Sequence, residues 1–222
     1  MRLGLIGTGK QGQRYLLEKN GGRHIKVSGS RRIPLDEVDG VIIATHPAGH
    51  KELALEAIAA GKAVLIEKPL ALNLRDCMDI IDAAEKAKVQ LEVAHTHLWN
   101  REWCGLESEA VCAISYDKHE RDYSPWLDWA PHGLALLASA MPGANSQGLL
   151  HSLTVYKDIE HSPQIRLTWV NSMIGPYVYP DHLGSPIVPP MFLMLRDFCL
   201  GETSDYNFNR RVYRALFAEE YG

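Results

Sequence analysis

Residues 1–12 read MRLGLIGTGKQG, an apolar stretch that breaks into Gly7-Thr8-Gly9-Lys10-Gln11-Gly12. Glycines at this spacing, after a strand and before a helix, meet the needs of a bound pyrophosphate. Gly7 makes the tight turn, Gly9 lets the backbone approach the phosphates, and Gly12 lets the helix pack against the strand. The helix start adds N–H donors and a favourable dipole. Glycine-rich turns also occur without a ligand, so the reading rests on context: an apolar run, Arg2 to Ile6, before the turn and a helix-compatible run, Gln11 to Lys19, after it. The candidate cofactor-binding residues here are Gly7, Thr8, Gly9, Lys10, Gln11 and Gly12.

Outward from this turn, short apolar runs alternate with helical patterns. Strands are predicted at Arg2–Ile6, Ile25–Gly29, Val41–Ala44, Ala63–Ile66 and Gln90–Ala94, each suited to burial on both faces. Helices are predicted at Gln11–Lys19, His50–Ala60 and Leu74–Lys88, with Gly61 closing the second. Such alternation implies a parallel sheet covered by helices. Only RRIPLDEVDG, residues 31–40, separates Ser30 from the third strand. A crossover with a helix needs at least about 10–12 residues, so this link holds at most a helical turn around Leu35 to Val38. One edge strand is therefore expected to be missing, giving the order 2-1-4-5-6 in the usual numbering of a dinucleotide fold.

The end of the second strand bears on which dinucleotide is held. An acidic residue there takes the ribose hydroxyls of NAD, whereas this chain carries Ser30, Arg31 and Arg32. Guanidinium forks suit a 2′-phosphate. NADP(H) is the expected cofactor, with NAD(H) as the alternative; solvated loop arginines are the plain alternative for the pair.

Beyond Leu98 the pattern changes. Ala110–Tyr116, Gly148–Tyr156 and Gln164–Asn171 are rich in β-formers and predict a small, mostly antiparallel sheet. Helices are predicted at Trp129–Ala140 and from Pro190 onward, and Pro-rich 174–190 reads as an extended loop. The expected architecture is α/β: a trimmed Rossmann-type parallel sheet over residues 1–97, and a second, smaller α+β domain over residues 98–222.

The 222 residues carry a net charge of −4, which gives no electrostatic reason to expect nucleic acid or an anionic membrane as partner. The cysteines, Cys77, Cys104, Cys112 and Cys199, have no metal-site spacing and read as reduced core thiols; no metal is expected. With no targeting segment or apolar span in view, a cytoplasmic location is expected.

Three motifs carry a resemblance. Gly7 to Gly12, then Ala44-Thr45-His46-Pro47 with His50, then Gly61-Lys62-Ala63-Val64-Leu65-Ile66-Glu67-Lys68-Pro69-Leu70 resemble the N-terminal domain of the glucose-fructose oxidoreductase and inositol dehydrogenase family. Val93 to Asn100 is similar to the segment leading out of that domain, and Asp128-x-x-x-His132 to the family's helical signature. Met191–Gly201 and Phe208–Glu220 are similar to its closing helices, although members are commonly a hundred or more residues longer. The resemblance implies hydride transfer between a nicotinamide and a secondary alcohol or ketone of a sugar, cyclitol or sugar derivative. It implies Lys68, Asp128 and His132 as catalytic residues, and Thr45, His46, Pro47, Glu67 and Lys68 as further cofactor contacts. Lys68, His95, His97 and His132 are the substrate-binding candidates. It also implies a homodimer or homotetramer through the C-terminal sheet, with Trp169, Val170, Tyr177 and Tyr179 as contacts.

The residues agree with that chemistry. A neutral imidazole accepts an alcohol proton at physiological pH, and four-residue spacing puts Asp128 and His132 on one helical face. Other readings stay open: Asp128 as a helix cap with His132 in its first turn, and His50 as a structural residue beginning a helix. His95 and His97 alternate along a stretch read as extended, so one of them at most would face a cleft. The chain departs from the family in following His132 with Gly133-Leu134-Ala135 where an acidic residue is common. Two further functions remain as alternatives: a non-catalytic dinucleotide-binding regulator or scaffold, and a reductase of a non-sugar ring such as a cyclic imine or tetrapyrrole.

Overall fold

The apolar runs of the first hundred residues pair, in a computed structural model, as one parallel sheet. The structure describes residues 1–17, 25–28, 34–99, 112–115, 122–141, 143–151, 153–156, 164–167 and 190–218. Strand β1 (Leu3–Ile6) leads through the glycine turn into helix α1 (Lys10–Leu17), followed by β2 (Ile25–Ser28) and β3 (Gly40–Ile43). Helix α2 (His50–Ala59), β4 (Ala63–Ile66), α3 (Leu74–Ala87) and β5 (Leu91–Val93) continue the alternation. The sheet order is β2-β1-β3-β4-β5, the order the short third connection predicts. Leu3 pairs with Ile25 on one side and Gly40 on the other, and Gly40 in turn with Ala63. Every residue of β1, β3, β4 and β5 is buried, as strands covered on both faces must be.

Local chemistry fixes the helix ends. Asn73 Oδ1 accepts from the Asp76 amide at 2.9 Å and starts α3. Lys51 of α2 reaches Asp76 and Asp79 of α3 at 2.6 and 2.7 Å. Gly61, at φ +67°, supplies the left-handed residue after α2. In the link before β3 the only regular piece among the described residues is a single 3-10 turn, Leu35–Glu37.

The chain forms two compact units, Met1–Ala94 with Met191–Tyr206, and His95–Pro190 with Asn207–Gly222. In the second, β6 (Cys112–Ser115), α4 (Pro125–Ala140), α5 (Ser146–His151), β7 (Leu153–Tyr156) and β8 (Gln164–Leu167) form a helix layer and a three-stranded antiparallel sheet of order β6-β8-β7. Helix α6 (Pro190–Leu200) belongs to the first unit and most of α7 (Tyr206–Leu216) to the second. Gln90 Nε2 donates to Phe198 O at 2.6 Å, tying α6 to the chain entering β5.

Two sequence expectations are corrected. Residues 148–151 are helical, not strand, because Asn145 Oδ1 accepts from the Gly148 amide at 2.9 Å and caps a short helix there. Helix α4 begins at Pro125, four residues before Trp129, because Ser124 Oγ accepts from the Trp126 amide and Pro125 occupies the first helical position. Ser124, not Asp128, is the cap. The expected loop at 174–189 and the contacts Trp169, Val170, Tyr177 and Tyr179 lie outside the described residues, as do Cys104 and residues 168–171 of the last predicted strand.

Candidate functional site

The three glycines of the opening turn have different neighbours. Gly7 sits at φ +95°, and a Cβ there would meet Ala44 O at 2.5 Å, so the turn lies directly on the chain leaving β3. A Cβ at Gly12 would run into the Gly7 carbonyl. These two positions are closed by the protein itself. Gly9 has nothing within 4 Å of its Cβ position and is exposed, as are Thr8 and Lys10. The turn is thus crowded beneath and open above, at the head of α1, where a pyrophosphate would need backbone access. The residues fit a dinucleotide.

The chain leaving β3 and β4 supplies the next groups, beyond the carboxyl ends of the strands where ligands of open parallel sheets lie. Thr45 and His46 line an open groove of about 570 Å³ that continues along Gly49, Leu53 and Glu56 of the next helix. His46 Nδ1 accepts from the Ala48 amide at 3.3 Å, and Pro47 is buried. His50 is fully buried, with Nδ1 3.0 Å from Pro69 O and Nε2 3.1 Å from Thr45 O, so one ring ties the loop after β3 to the loop after β4. Burial lowers its pKa, against the pull of the carbonyls. Its role is structural, as the sequence suggests.

Glu67 points into the unit. Its carboxylate accepts from Tyr15 OH at 2.6 Å and Gln11 Nε2 at 2.9 Å, both on α1, and burial raises its pKa. Tyr15 is raised as well, by burial first and by the Glu67 charge second. Glu67 and Gln11 therefore fasten the glycine-turn helix to the end of β4. Tyr15 was not singled out in the sequence, although its place on the inner face of α1 is the available signal. Lys68, the next residue, is half-buried and joined to Pro69 by a cis peptide. Ser30, Arg31 and Arg32 lie outside the described residues.

The second unit gathers three histidines. His132 is buried in α4, one turn after Asp128, which is also buried and accepts from Tyr123 OH at 3.3 Å. The expectation that His95 and His97 alternate on an extended strand is corrected: Thr96–Trp99 is a 3-10 helix. The tighter helical turn brings both rings to His132, His97 at 4.5 Å between ring centroids and edge-on at 88°, His95 at 6.4 Å and 81°. His95 is fully buried and lies 6.0 Å from the ring of Tyr213, on α7. His97 is half-buried. Among the described residues no group of three or more His, Cys, Asp or Glu side chains could hold a metal ion.

Residues 27–95 match the model of a family described as oxidoreductase family, NAD-binding Rossmann fold. An uncharacterized oxidoreductase of Streptococcus pneumoniae is 34% identical over 118 residues, 43% of this chain and 32% of that protein. The 1,5-anhydro-D-fructose reductase of Ensifer adhaerens is 38% identical over 93 residues, 42% of this chain and 27% of the relative. The matched stretches thus span a third or less of these relatives' own length. A solved Gfo/Idh/MocA family oxidoreductase from Vibrio cholerae shares the fold at a TM-score of 0.68 and 14% identity, covering 100% of this chain and 96% of that one. Among the described residues no helix is long and apolar enough to cross a membrane. The match over residues 27–95 runs from β2 to the end of β5, and the family's described NAD-binding Rossmann fold agrees with the parallel sheet and with the glycine turn at its head.

Proposed function

We propose that the chain moves a hydride between a pyridine nucleotide, NADP(H) in preference to NAD(H), and a secondary alcohol or ketone of a sugar, cyclitol or sugar derivative. The observation that supports this most is the opening turn, closed at Gly7 and Gly12 and open at Gly9. The relative named for reduction of 1,5-anhydro-D-fructose supports a carbohydrate-like substrate. When bound, the nicotinamide supplies or takes the hydride. Backbone amides from Thr8 to Gly12 hold the pyrophosphate, Ser30, Arg31 and Arg32 hold the 2′-phosphate, and Thr45 and His46 line the groove beyond β3. Lys68 polarises the reacting oxygen. His132, oriented by Asp128, takes the hydroxyl proton in one direction and returns it in the other. Residues 1–97 serve the dinucleotide; residues 98–222 serve the substrate and self-association.

The test has two arms. NADPH and NADH are titrated by fluorescence, expecting roughly ten- to hundred-fold tighter NADPH, the effect of one charge-assisted contact of about 1.5–3 kcal/mol, and loss of that preference in Arg31→Ala plus Arg32→Ala. Equal affinities remove the NADP assignment. Turnover is then measured with NADP⁺ on a panel of cyclitols and sugars. His132→Ala should lower it by roughly 10² to 10⁴ with NADPH affinity nearly unchanged, and Lys68→Ala should impair both turnover and substrate binding. Near-normal rates in both variants remove the acid–base assignment.

A further inference from the structure

We propose that His97 is the proton relay of His132, so that the two rings act as one titrating pair with His97 as its outlet to solvent. The proposal rests on the reading of His132 as the acid–base group and adds a residue and a route to it.

The geometry gives the reason. Oxidation of a secondary alcohol breaks a C–H bond, whose hydride goes to the oxidised nicotinamide, and an O–H bond, whose proton goes to a ring nitrogen of His132 as the C=O forms. His132 is 6% exposed, and burial disfavours an imidazolium. The protonated ring must pass its proton on before the next turnover. The rings of His95 and His97 face it, and Asp128 precedes it by one turn of α4. Asp128, from the same helix, favours the charged ring, and its carboxylate is itself held by Tyr123. His95, from the turn preceding β6, is fully buried and packed on Tyr213 of α7, so a proton moved there would stay desolvated. His97, at 4.5 Å and edge-on, is half-buried and reaches water. A proton that passes from His132 to His97 moves from a buried ring to a half-buried one. Two imidazolium charges at that distance repel strongly in a partly buried site, so the pair holds one added proton, and the step is reset when His97 releases it to water. Asp128 on its own helix with Tyr123 behind it, His95 with Tyr213 behind it, and His97 are the titratable groups that the described contacts bring toward His132.

The experiment is a histidine ring titration by NMR on the apo protein, which needs neither cofactor nor substrate. In the wild type, the His97 and His132 signals should follow a shared two-step curve. In His97→Asn the His132 curve should become a single step with its midpoint raised by about one pH unit, since a like charge has been removed, and in His132→Asn the His97 curve should likewise become a single step. His97→Gln serves as a second variant should the Asn variant fold poorly. Independent single-step titrations in the wild type, or a His132 midpoint that does not move in His97→Asn, overturn the proposal. On the polyol that turns over best in the panel, His97→Asn should be slowed roughly tenfold or more near pH 7 and restored by added imidazole; a slowed variant that imidazole fails to restore also overturns it. Coupled titration together with a fully active His132→Ala would instead defeat the assignment of His132 as acid–base group, so the two failures are distinguishable.

Discussion

At the scale of single residues, the opening turn separates two glycines whose Cβ space the backbone takes from one whose space is clear and is given to the cofactor in the proposed function. Gly7→Ala places a methyl on Ala44 O and asks an L-residue to hold φ +95°, while Gly12→Ala drives a methyl into the Gly7 carbonyl. Each should destabilise the protein by about 2–3 kcal/mol. Gly9→Ala meets nothing within 4 Å, so its unfolding midpoint should stay near the wild type while NADPH binding weakens roughly tenfold, about 1.4 kcal/mol. Denaturant unfolding and cofactor titration on the three variants check this, and a Gly9→Ala protein that binds NADPH normally would contradict the role given to the open position. The motif gives the three glycines different tasks, turn, phosphate approach and packing; in the structure the chain takes the Cβ space of Gly7, through Ala44, and of Gly12, through the Gly7 carbonyl, and leaves that of Gly9 clear.

At the scale of elements, the segment returning from α6 is pinned to the sheet by a buried carboxylate. Glu92 of β5 accepts from the Ser204 amide at 2.7 Å and from its hydroxyl at 3.2 Å, and Tyr206 OH donates to Val89 O at 2.8 Å close by. Burial pushes the Glu92 carboxyl up to about 7, against the downward pull of the Ser204 donors. A carboxyl raised from 4.5 in the unfolded chain binds its proton more tightly in the fold, so its contribution is full below about pH 4.5 and lost as pH rises through 7. The loss amounts to about 3 kcal/mol at most. Glu92→Gln keeps an acceptor for Ser204 without the charge. It should flatten the stability profile between pH 4.5 and 7 and raise the melting temperature at pH 8; an unchanged profile would show that Glu92 is not the group responsible. Glu92 reads in the sequence as the polar residue of a short strand, and nothing local marks it, because its partner is 112 residues away.

At the scale of the molecule, the proposed self-association has a direct test. Helix α4 packs against β7 and β8, and the proposal seats another copy on the opposite face of that sheet, where apolar area removed from water stabilises association by about 25 cal/mol per Å². Light scattering at micromolar concentration is expected to return a dimer or tetramer. A monomer would overturn the proposed use of the sheet.

The elements that local chemistry alone specifies are those the sequence placed well. β4 occupies Ala63–Ile66 as read from its apolar run, and α2 starts at His50, as the spacing of Ala54, Ala57 and Ile58 requires. The strand order followed from chain length, since the eleven residues between β2 and β3 cannot hold a further helix and strand. Where the sequence reading failed, the deciding partner was a cap it undervalued, as with Ser124-Pro125 and Asn145, or a turn whose pitch depends on tertiary packing, as at Thr96–Trp99. The sequence by itself determined the parallel sheet, its glycine turn and the residue types of the proposed site, because periodicity, glycine spacing and linker length act over neighbouring residues. Only the tertiary structure decided that Glu67 serves Tyr15 and Gln11, that Met191–Tyr206 packs with the N-terminal unit, and that His95 and His97 both meet His132. Burial and ring contacts join residues 35 to 120 positions apart, and no pattern within a short window records them.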